Sequence, residues 1–388
     1  MMRRDFLSLS AAAMVPVRKD APPIRSIDVF QVVYPTKAYF RFFENSERPT
    51  VVVRVNTEDP KLTGWGQSVP SPVWSYESVD TVLATYKRLV PALQGQNPTD
   101  LANAHQIMNR LIGPSFSTGA PIAKAGLDLA LHDLAGKIAG KSVPELWGLK
   151  PLDRITISYT LNPQKLDDIE PMMAQGRSES YQHFNIKVAP DPVFDVEMAK
   201  RVRKNDPKCF LWADANGGYD LPTALATAPK LKDAGVNVLE QPVRSNQIRG
   251  CIALKKQGAL PIILDEAVVH SSDLEEFIAL GMCDGLAMKP ARTAGLHDAK
   301  KQIELVQKHK MMFLGSGLTD PDISLAATLQ LYAAFQLKYP AALNGLQFLK
   351  GSILKQPFAL ENGTIQVPTG PGLGVEIDES RLKELRRG

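Results

Sequence analysis

Cysteine is scarce in this chain. Three occur among 388 residues, Cys209, Cys251 and Cys283, an odd number at wide spacings with no C-x-x-C and no histidine pair nearby. That pattern excludes a disulfide framework and offers zinc no ligand set, so core thiols are the simplest account. A basic stripe is absent too. The formal net charge of +4 is spread along the chain, and the clusters "KLKD", "LKKQG" and "KELRRG" stand apart without interleaved aromatics. Nucleic acid is therefore not an expected partner. Nothing in the composition resembles disorder. With 44% hydrophobic and 22% charged residues the chain is that of an ordinary soluble protein, long enough for one large domain and a smaller one.

The alanine-rich apolar stretch at the N-terminus is too short to anchor in a bilayer. It belongs to "MMRRDFLSLSAAAMVPV", in which Arg3 and Arg4 precede Phe6, Leu7 and an apolar run free of acidic residues after Asp5. This resembles a twin-arginine export signal, so residues 1–22 are expected to be an export signal or disordered, and the location periplasmic or otherwise exported. A basic N-terminus that only resembles such a signal, in a cytoplasmic protein, is the alternative.

What the chain has in quantity is a rhythm. From about residue 155 a short β-branched run, a turn and an amphipathic helix recur, with the runs "ITISYTL", "FNIKV", "CFLWAD", "VNVLEQP", "PIILDE", "GLAMKP", "MMFLGS" and "GLQFL". Eight such units predict a parallel sheet closed into a (β/α)8-type barrel over residues 150–350. Residues 23–145 do not follow this rhythm. "IRSIDVFQVVYP", "TVVVRVNTED" and "LTGWGQSVP" read as antiparallel strands, and three helical segments follow them, which predicts an α+β domain capping one mouth of the barrel. The tail, residues 351–388, carries hairpin-like turns and is expected to return to that cap.

Barrel active sites lie at the carboxyl ends of the strands. In "HFNIKVAPD" the second run ends near Lys187; the third ends in Asp214, the fourth in Glu240, the fifth in Asp265 with Glu266, and the sixth in Lys289. An acid after a strand is often a helix N-cap, and Asp265 or Glu266 alone reads as readily that way. Three carboxylates on one mouth repel one another unless a cation sits among them, and an oxygen-only set selects Mg²⁺ before Mn²⁺ or Ca²⁺.

The motifs "WADANGGYD", "LEQPV", "ILDEAV" and "AMKPARTAGL", with separations of 26, 25 and 24 residues between positions 214, 240, 265 and 289, together with "GWGQSVPSP" and "AKAGLDLALHDLAGKIAGKSVPELWG", resemble the enolase superfamily and its muconate lactonizing enzyme-like subgroup. The resemblance spans essentially the whole chain after the export segment. It implies that Asp214, Glu240 and Asp265 bind Mg²⁺, with Mn²⁺ possible, and that Lys187 and Lys289 face each other across a small carboxylate substrate as acid/base catalysts. A homo-oligomer is expected. The reaction implied is α-proton abstraction through an enediolate, as a racemase or epimerase, with a cycloisomerase or dehydratase as the alternative. A Schiff-base aldolase and a non-catalytic exported metabolite-binding protein are the rivals outside this chemistry.

Departures from the family pattern matter as much. Asn185 stands where a K-x-K strand has its first lysine, removing a charge that would flank Lys187. "GSGLTD" contains no histidine, which argues against the mandelate racemase-like branch, and His297 is expected on a solvent-facing helix surface. Asn216 is expected to orient a water or carboxylate, or to be a turn residue. In the cap segment "PTKAYFRFFENSERPT", Arg41 and Arg48 with Tyr39, Phe40, Phe42 and Phe43 are candidates to hold an apolar or second anionic group, or simply to pack the cap. "LNGLQFL" lacks paired aspartates for a substrate ammonium, favouring an N-acylated amino acid, a proline-like acid or another carboxylate over a dipeptide. If the twin-arginine reading holds, changing Arg3 and Arg4 to Lys retains the protein in the cytoplasm; unchanged periplasmic recovery on fractionation refutes it.

Overall fold

The structure is a computed structural model describing residues 14–38, 40, 46–114 and 118–387. Arg3, Arg4 and Arg41 lie outside the described residues, as do Tyr39, Phe42 and Phe43. Three strands, β1 (Ser26–Pro35), β2 (Glu47–Asn56) and β3 (Thr63–Ser68), form an antiparallel sheet whose register runs from Ser26 opposite Asn56 to Pro35 opposite Glu47. Helices α1 (Val79–Leu93), α2 (Leu101–Leu111) and α3 (Pro121–Ala139) cover one face. Helix α3 is buried continuously from Pro121 to Gly136, because the cap sheet lies on one side of it and the barrel helices on another. Its approach to β3 depends on glycine. A Cβ on Gly66 would lie 2.6 Å from the Ala130 amide nitrogen and closer still to the Gly126 carbonyl oxygen.

A short helix, α4 (Val143–Leu146), leads to β4 (Arg154–Thr156) and β5 (Ser158–Leu161). The alternating units follow: α5 (Ile169–Ser178), β6 (His183–Lys187), α6 (Pro192–Asn205), β7 (Leu211–Asp214), α7 (Leu221–Asp233), β8 (Val238–Glu240), α8 (Ile248–Gln257), β9 (Ile262–Leu264), α9 (Ser271–Ala279), β10 (Gly285–Met288), α10 (Leu296–Lys308), β11 (Met312–Gly315) and α11 (Asp322–Ala334). Strands β5 to β11 form one parallel sheet in sequential order. Trp212, Val238, Ile263, Ala287 and Leu314 point into its interior, while their neighbours in sequence pack outward under the helices. The fold is a modified TIM barrel with an antiparallel capping domain. Among the described residues, no helix is long and apolar enough to cross a membrane.

The eighth unit differs from the sequence expectation. "GLQFL" is not a strand; Gly345–Phe348 is a helical turn, α12. The barrel is closed by Ala341 and Ala342, which bridge in parallel to Ile157 and Ser316. The Ser158 amide donates to Ala341 O at 2.9 Å, and the Ala342 amide donates to Gly315 O at 2.9 Å. A two-residue bridge has no period to read, whereas the apolar residues beyond it have other work: Phe348 stacks on Phe40 with centroids 4.6 Å apart. The tail forms the hairpin β12 (Leu360–Glu361) and β13 (Thr364–Gln366), which joins β4; helix α13 (Glu379–Leu385) and β14 (Arg386–Arg387) then reach β1.

Cap and barrel are stitched by buried polar groups. Tyr34 donates to Asp322 at 2.8 Å, and Asp322 also accepts from the Ile353 amide. Asp128 of α3 accepts from His105 Nε2 at 2.7 Å and from the Leu296 amide at 2.5 Å, capping α10 across the seam. His297, expected on a solvent face, instead stacks on His105 at 4.4 Å; burial, then the neighbouring His105, pulls its pKa down to about 3. Because the β3–α3 contact leaves no room for a side chain, Gly66→Ala is expected to destabilise by at least about 2–3 kcal/mol. Gly95→Ala, at φ +76° in open space, is expected to cost about 1 kcal/mol. The urea midpoint of each variant measures both.

Candidate active site

Register assembles the rim. Lys187, Asp214 and Glu240 are direct neighbours across β6, β7 and β8. Asp265 and Lys289 stand one residue beyond β9 and β10, where each chain has left the sheet but not the barrel mouth. Lys187, Asp214, Glu240 and Lys289 line a single cavity together with Asn185 and Asn216, and the cap residues Phe40, Arg48 and Trp74 close over it.

Among the described residues, Asp214 and Asp265 are ion-paired, whereas Glu240 and Glu266 are not. Lys187 Nζ donates to Asp214 Oδ2 at 2.5 Å. Lys289 Nζ donates to one oxygen of Asp265, and Arg292 takes the other. Glu240 is fully buried and its Oε1 has no hydrogen-bond partner. Burial, and then the charges of Asp214 and Asp265, push its pKa well above the ordinary carboxylate value. Burial would raise Asp214 as well, but Lys187 and Lys289 outweigh it and hold that carboxyl low. For Lys289 burial favours the neutral amine, yet Asp265, Glu240 and Glu266 together keep its pKa above the usual lysine value.

Around the acids stands a set of orienting groups. Asn216, at φ +45°, donates its backbone N–H to Asp214 Oδ1 at 2.9 Å and its carboxamide to Glu266 Oε1 at 3.1 Å. It therefore fixes two carboxylates at once. Trp74 Nε1 donates to the same Glu266 oxygen, and its ring lies 4.6 Å from Lys289 Nζ. Glu266 is pushed up to about 7 by burial and then by Asp265 and Asp214. Asn185 accepts at Oδ1 from Thr160 Oγ1 at 2.8 Å. Arg292 and Trp74 were not singled out from the sequence. Arg292 had a signal, lying three residues after Lys289, whereas Trp74 reaches the rim from the cap and had none.

Four carboxylates, Asp214, Glu240, Asp265 and Glu266, thus meet three cationic side chains, Lys187, Lys289 and Arg292. Among the described residues, no three acidic, histidine or cysteine side chains converge as they stand on a point where an ion would sit. Asp214 and Asp265 face ammonium and guanidinium groups instead. Even so, the unpartnered Glu240 oxygen and a donor set made only of carboxylates fit a hard divalent cation drawn in by those acids.

A barrel with an antiparallel cap and ionisable groups on successive strand ends defines a class of capped barrel enzymes. Comparison with known proteins makes this specific. Residues 27–148 match the mandelate racemase / muconate lactonizing enzyme N-terminal domain and residues 168–381 the enolase C-terminal domain-like family. The chain belongs to the enolase superfamily, in its muconate lactonizing enzyme-like subgroup, and is an isomerase or lyase of that superfamily. It is 28% identical over 342 residues to the chloromuconate cycloisomerase CbnB of Cupriavidus necator, covering 87% of this chain and 91% of that one. It is also 28% identical over 351 residues to o-succinylbenzoate synthase of Bacillus subtilis, covering 88% and 92%. The crystal structure of 2-chloromuconate cycloisomerase from Rhodococcus opacus superposes with a TM-score of 0.86 at 27% identity, over 94% of this chain and 99% of that one. Enzymes of this superfamily use Mg²⁺.

If the rim holds the ion, Mg²⁺ raises the melting temperature of the wild-type protein. Glu240→Gln, which removes the unpartnered carboxylate, is expected to abolish that shift. An undiminished Mg²⁺ shift in the variant, followed by calorimetry, refutes the assignment.

Proposed function

We propose that this protein abstracts the α-proton of a small carboxylate substrate in a Mg²⁺-dependent reaction, and that it does so as a racemase or epimerase. The observation that carries the reading is the placement of Lys187 and Lys289 on β6 and just beyond β10, flanking the strands whose ends carry the three acids. Asp214, Glu240 and Asp265 would hold the cation. Bound there, Mg²⁺ would supply the positive charge that acidifies the α-proton of the substrate.

The residues of the chain do the rest. Lys187 and Lys289 supply the two Nζ atoms, one to accept the proton and the other to donate. Asn216 keeps Asp214 and Glu266 oriented through its backbone and carboxamide. Asn185, neutral and tied to Thr160, leaves the acceptor side of Lys187 without a flanking ammonium. Trp74 and Phe40 exclude water from above. The resemblance of the N-terminal segment to a twin-arginine signal supports an exported location for this activity.

A cycloisomerase or lyase is the second reading. It is favoured by the cycloisomerase and synthase relatives, and it uses the same lysine pair with one member as base and the other as electrostatic support. Deuterium incorporation separates the two. A racemase predicts that Lys187→Ala loses α-proton exchange with one enantiomer and keeps some with the other, with the mirror pattern for Lys289→Ala. Loss in only one variant indicates elimination or cycloisomerisation. Equal loss for both enantiomers in both variants, read by NMR in D₂O, refutes the two-sided arrangement.

A further inference from the structure

Behind Trp74 lies a second chamber. Its lining shares only Trp74 with the cavity that holds the lysines, so the indole is the wall between the two. The chamber has a volume of about 190 Å³, many times the roughly 10–15 Å³ that one water needs. Glu266 and Arg292 line it, and neither lines the first cavity. Ser245 after β8 and Val269 after β9, both half-buried, belong to its barrel side, and Ile122 at the start of α3 belongs to its cap side.

Both charged groups carry unmet atoms. Arg292 is 2% exposed. Its Nη1 donates to Asp265 and to Ala287 O, but Nε and Nη2 have no partner. Those two N–H groups are the parallel pair on one edge of the guanidinium, the edge turned away from Nη1, and they match the two oxygens of a carboxylate. Glu266 uses Oε1 on Trp74 Nε1 and the Asn216 carboxamide, whereas Oε2, shut off from solvent, accepts nothing. Buried groups left in this state destabilise the free protein, and a ligand that meets both recovers the loss.

Charge selects the ligand. The Arg292 edge calls for two adjacent anionic oxygens, and the Glu266 carboxylate calls for a positive donor. A carboxylate alone would fill the edge but set a second negative charge near Glu266, and an ammonium alone would leave the edge empty. Glu77 also lines the chamber, its two oxygens taken by the Ile122 and Ala123 amides at the start of α3. Its charge weighs further against a bare anion. A molecule with one carboxylate and one ammonium meets both unmet groups and adds no net charge.

We infer that the chamber behind Trp74 binds a small zwitterionic amino acid, its carboxylate on the Nε/Nη2 edge of Arg292 and its ammonium on Glu266 Oε2, with Ile122 and Val269 left for the apolar part. This site is separate from the cavity that takes the substrate, yet it is coupled to the metal. Asp265, the partner of Arg292, is one of the three acids proposed above to hold Mg²⁺. A cation there adds positive charge beside the guanidinium, and a carboxylate on the opposite edge offsets it. Mg²⁺ and the amino acid therefore tighten each other by the same factor. The coupling rests on the metal assignment; the site itself does not.

Calorimetric titration of the full-length protein, with and without Mg²⁺, provides the test. Alanine is compared with propionate, which lacks the ammonium, and with alaninamide, which lacks the carboxylate. Glycine, β-alanine and γ-aminobutyrate, each beside its own one-ended analogues, vary the spacing of the two charges. The best zwitterion is expected to bind at least about tenfold more tightly than either of its analogues. Mg²⁺ should tighten it by at least about fivefold. Glu266→Gln should bring the zwitterion down to the level of the carboxylate analogue. Ser245→Trp, which fills the chamber and leaves Arg292 and Glu266 unaltered, should abolish binding while the Mg²⁺ shift in melting temperature is kept. Equal binding of zwitterions and one-ended analogues, undiminished binding in Ser245→Trp, or no binding of any zwitterion overturns the site. Zwitterion binding that is unchanged by Mg²⁺, in a protein that Mg²⁺ stabilises, overturns the coupling. Absence of any Mg²⁺ stabilisation refutes the metal assignment alone, and the titration without metal still decides the site.

Discussion

Like charges held at a fixed spacing are the constraint on which this structure turns. A parallel barrel places the end of each strand on one rim, and here β7 and β8 end in acids and a third acid directly follows β9. Their mutual repulsion in a buried setting has to be met by something positive. Lys187 answers Asp214, and Lys289 with Arg292 answers Asp265. Glu240, between them, is left without a partner for one oxygen. The same arrangement that makes the carboxylates a destination for a cation also parks two lysines beside them, so cation and proton chemistry share their residues.

The cap matters because these interactions need water excluded. Its sheet is seated by contacts that tolerate little change: glycines of β3 against α3, Tyr34 on Asp322, and Asp128 joining His105 to the first amide of α10. From that seat, Trp74 reaches down to Glu266 and Lys289, and Arg48 reaches the loop after β11. Cap and rim therefore act as one electrostatic unit. A change at the seam that tilts the sheet moves Trp74 and Arg48 together. In an interior packed this closely, such a tilt is not absorbed locally.

The barrel, its order and its charged rim were legible in the sequence because they rest on local rules. Alternation of short apolar runs with amphipathic helices fixes the layer architecture, and the residue that ends a strand must stand on the rim whatever surrounds it. Lys187, Asp214, Glu240, Asp265 and Lys289 followed from that alone, and Asn216 from its place two residues after an acid. The eighth strand was misplaced because two alanines closing a barrel carry no period, while the apolar "GLQFL" beside them does. His297 was misread for a related reason: helical position gives a face, but not what packs on it. Arg292 as a partner of Asp265, Trp74 over Lys289, the unmet atoms of Arg292 and Glu266, and the histidines of the seam were decided only in three dimensions. Each depends on segments far apart in the chain meeting at a few ångströms. Hydrogen bonding and desolvation act at that range, and spacing along a sequence does not encode it.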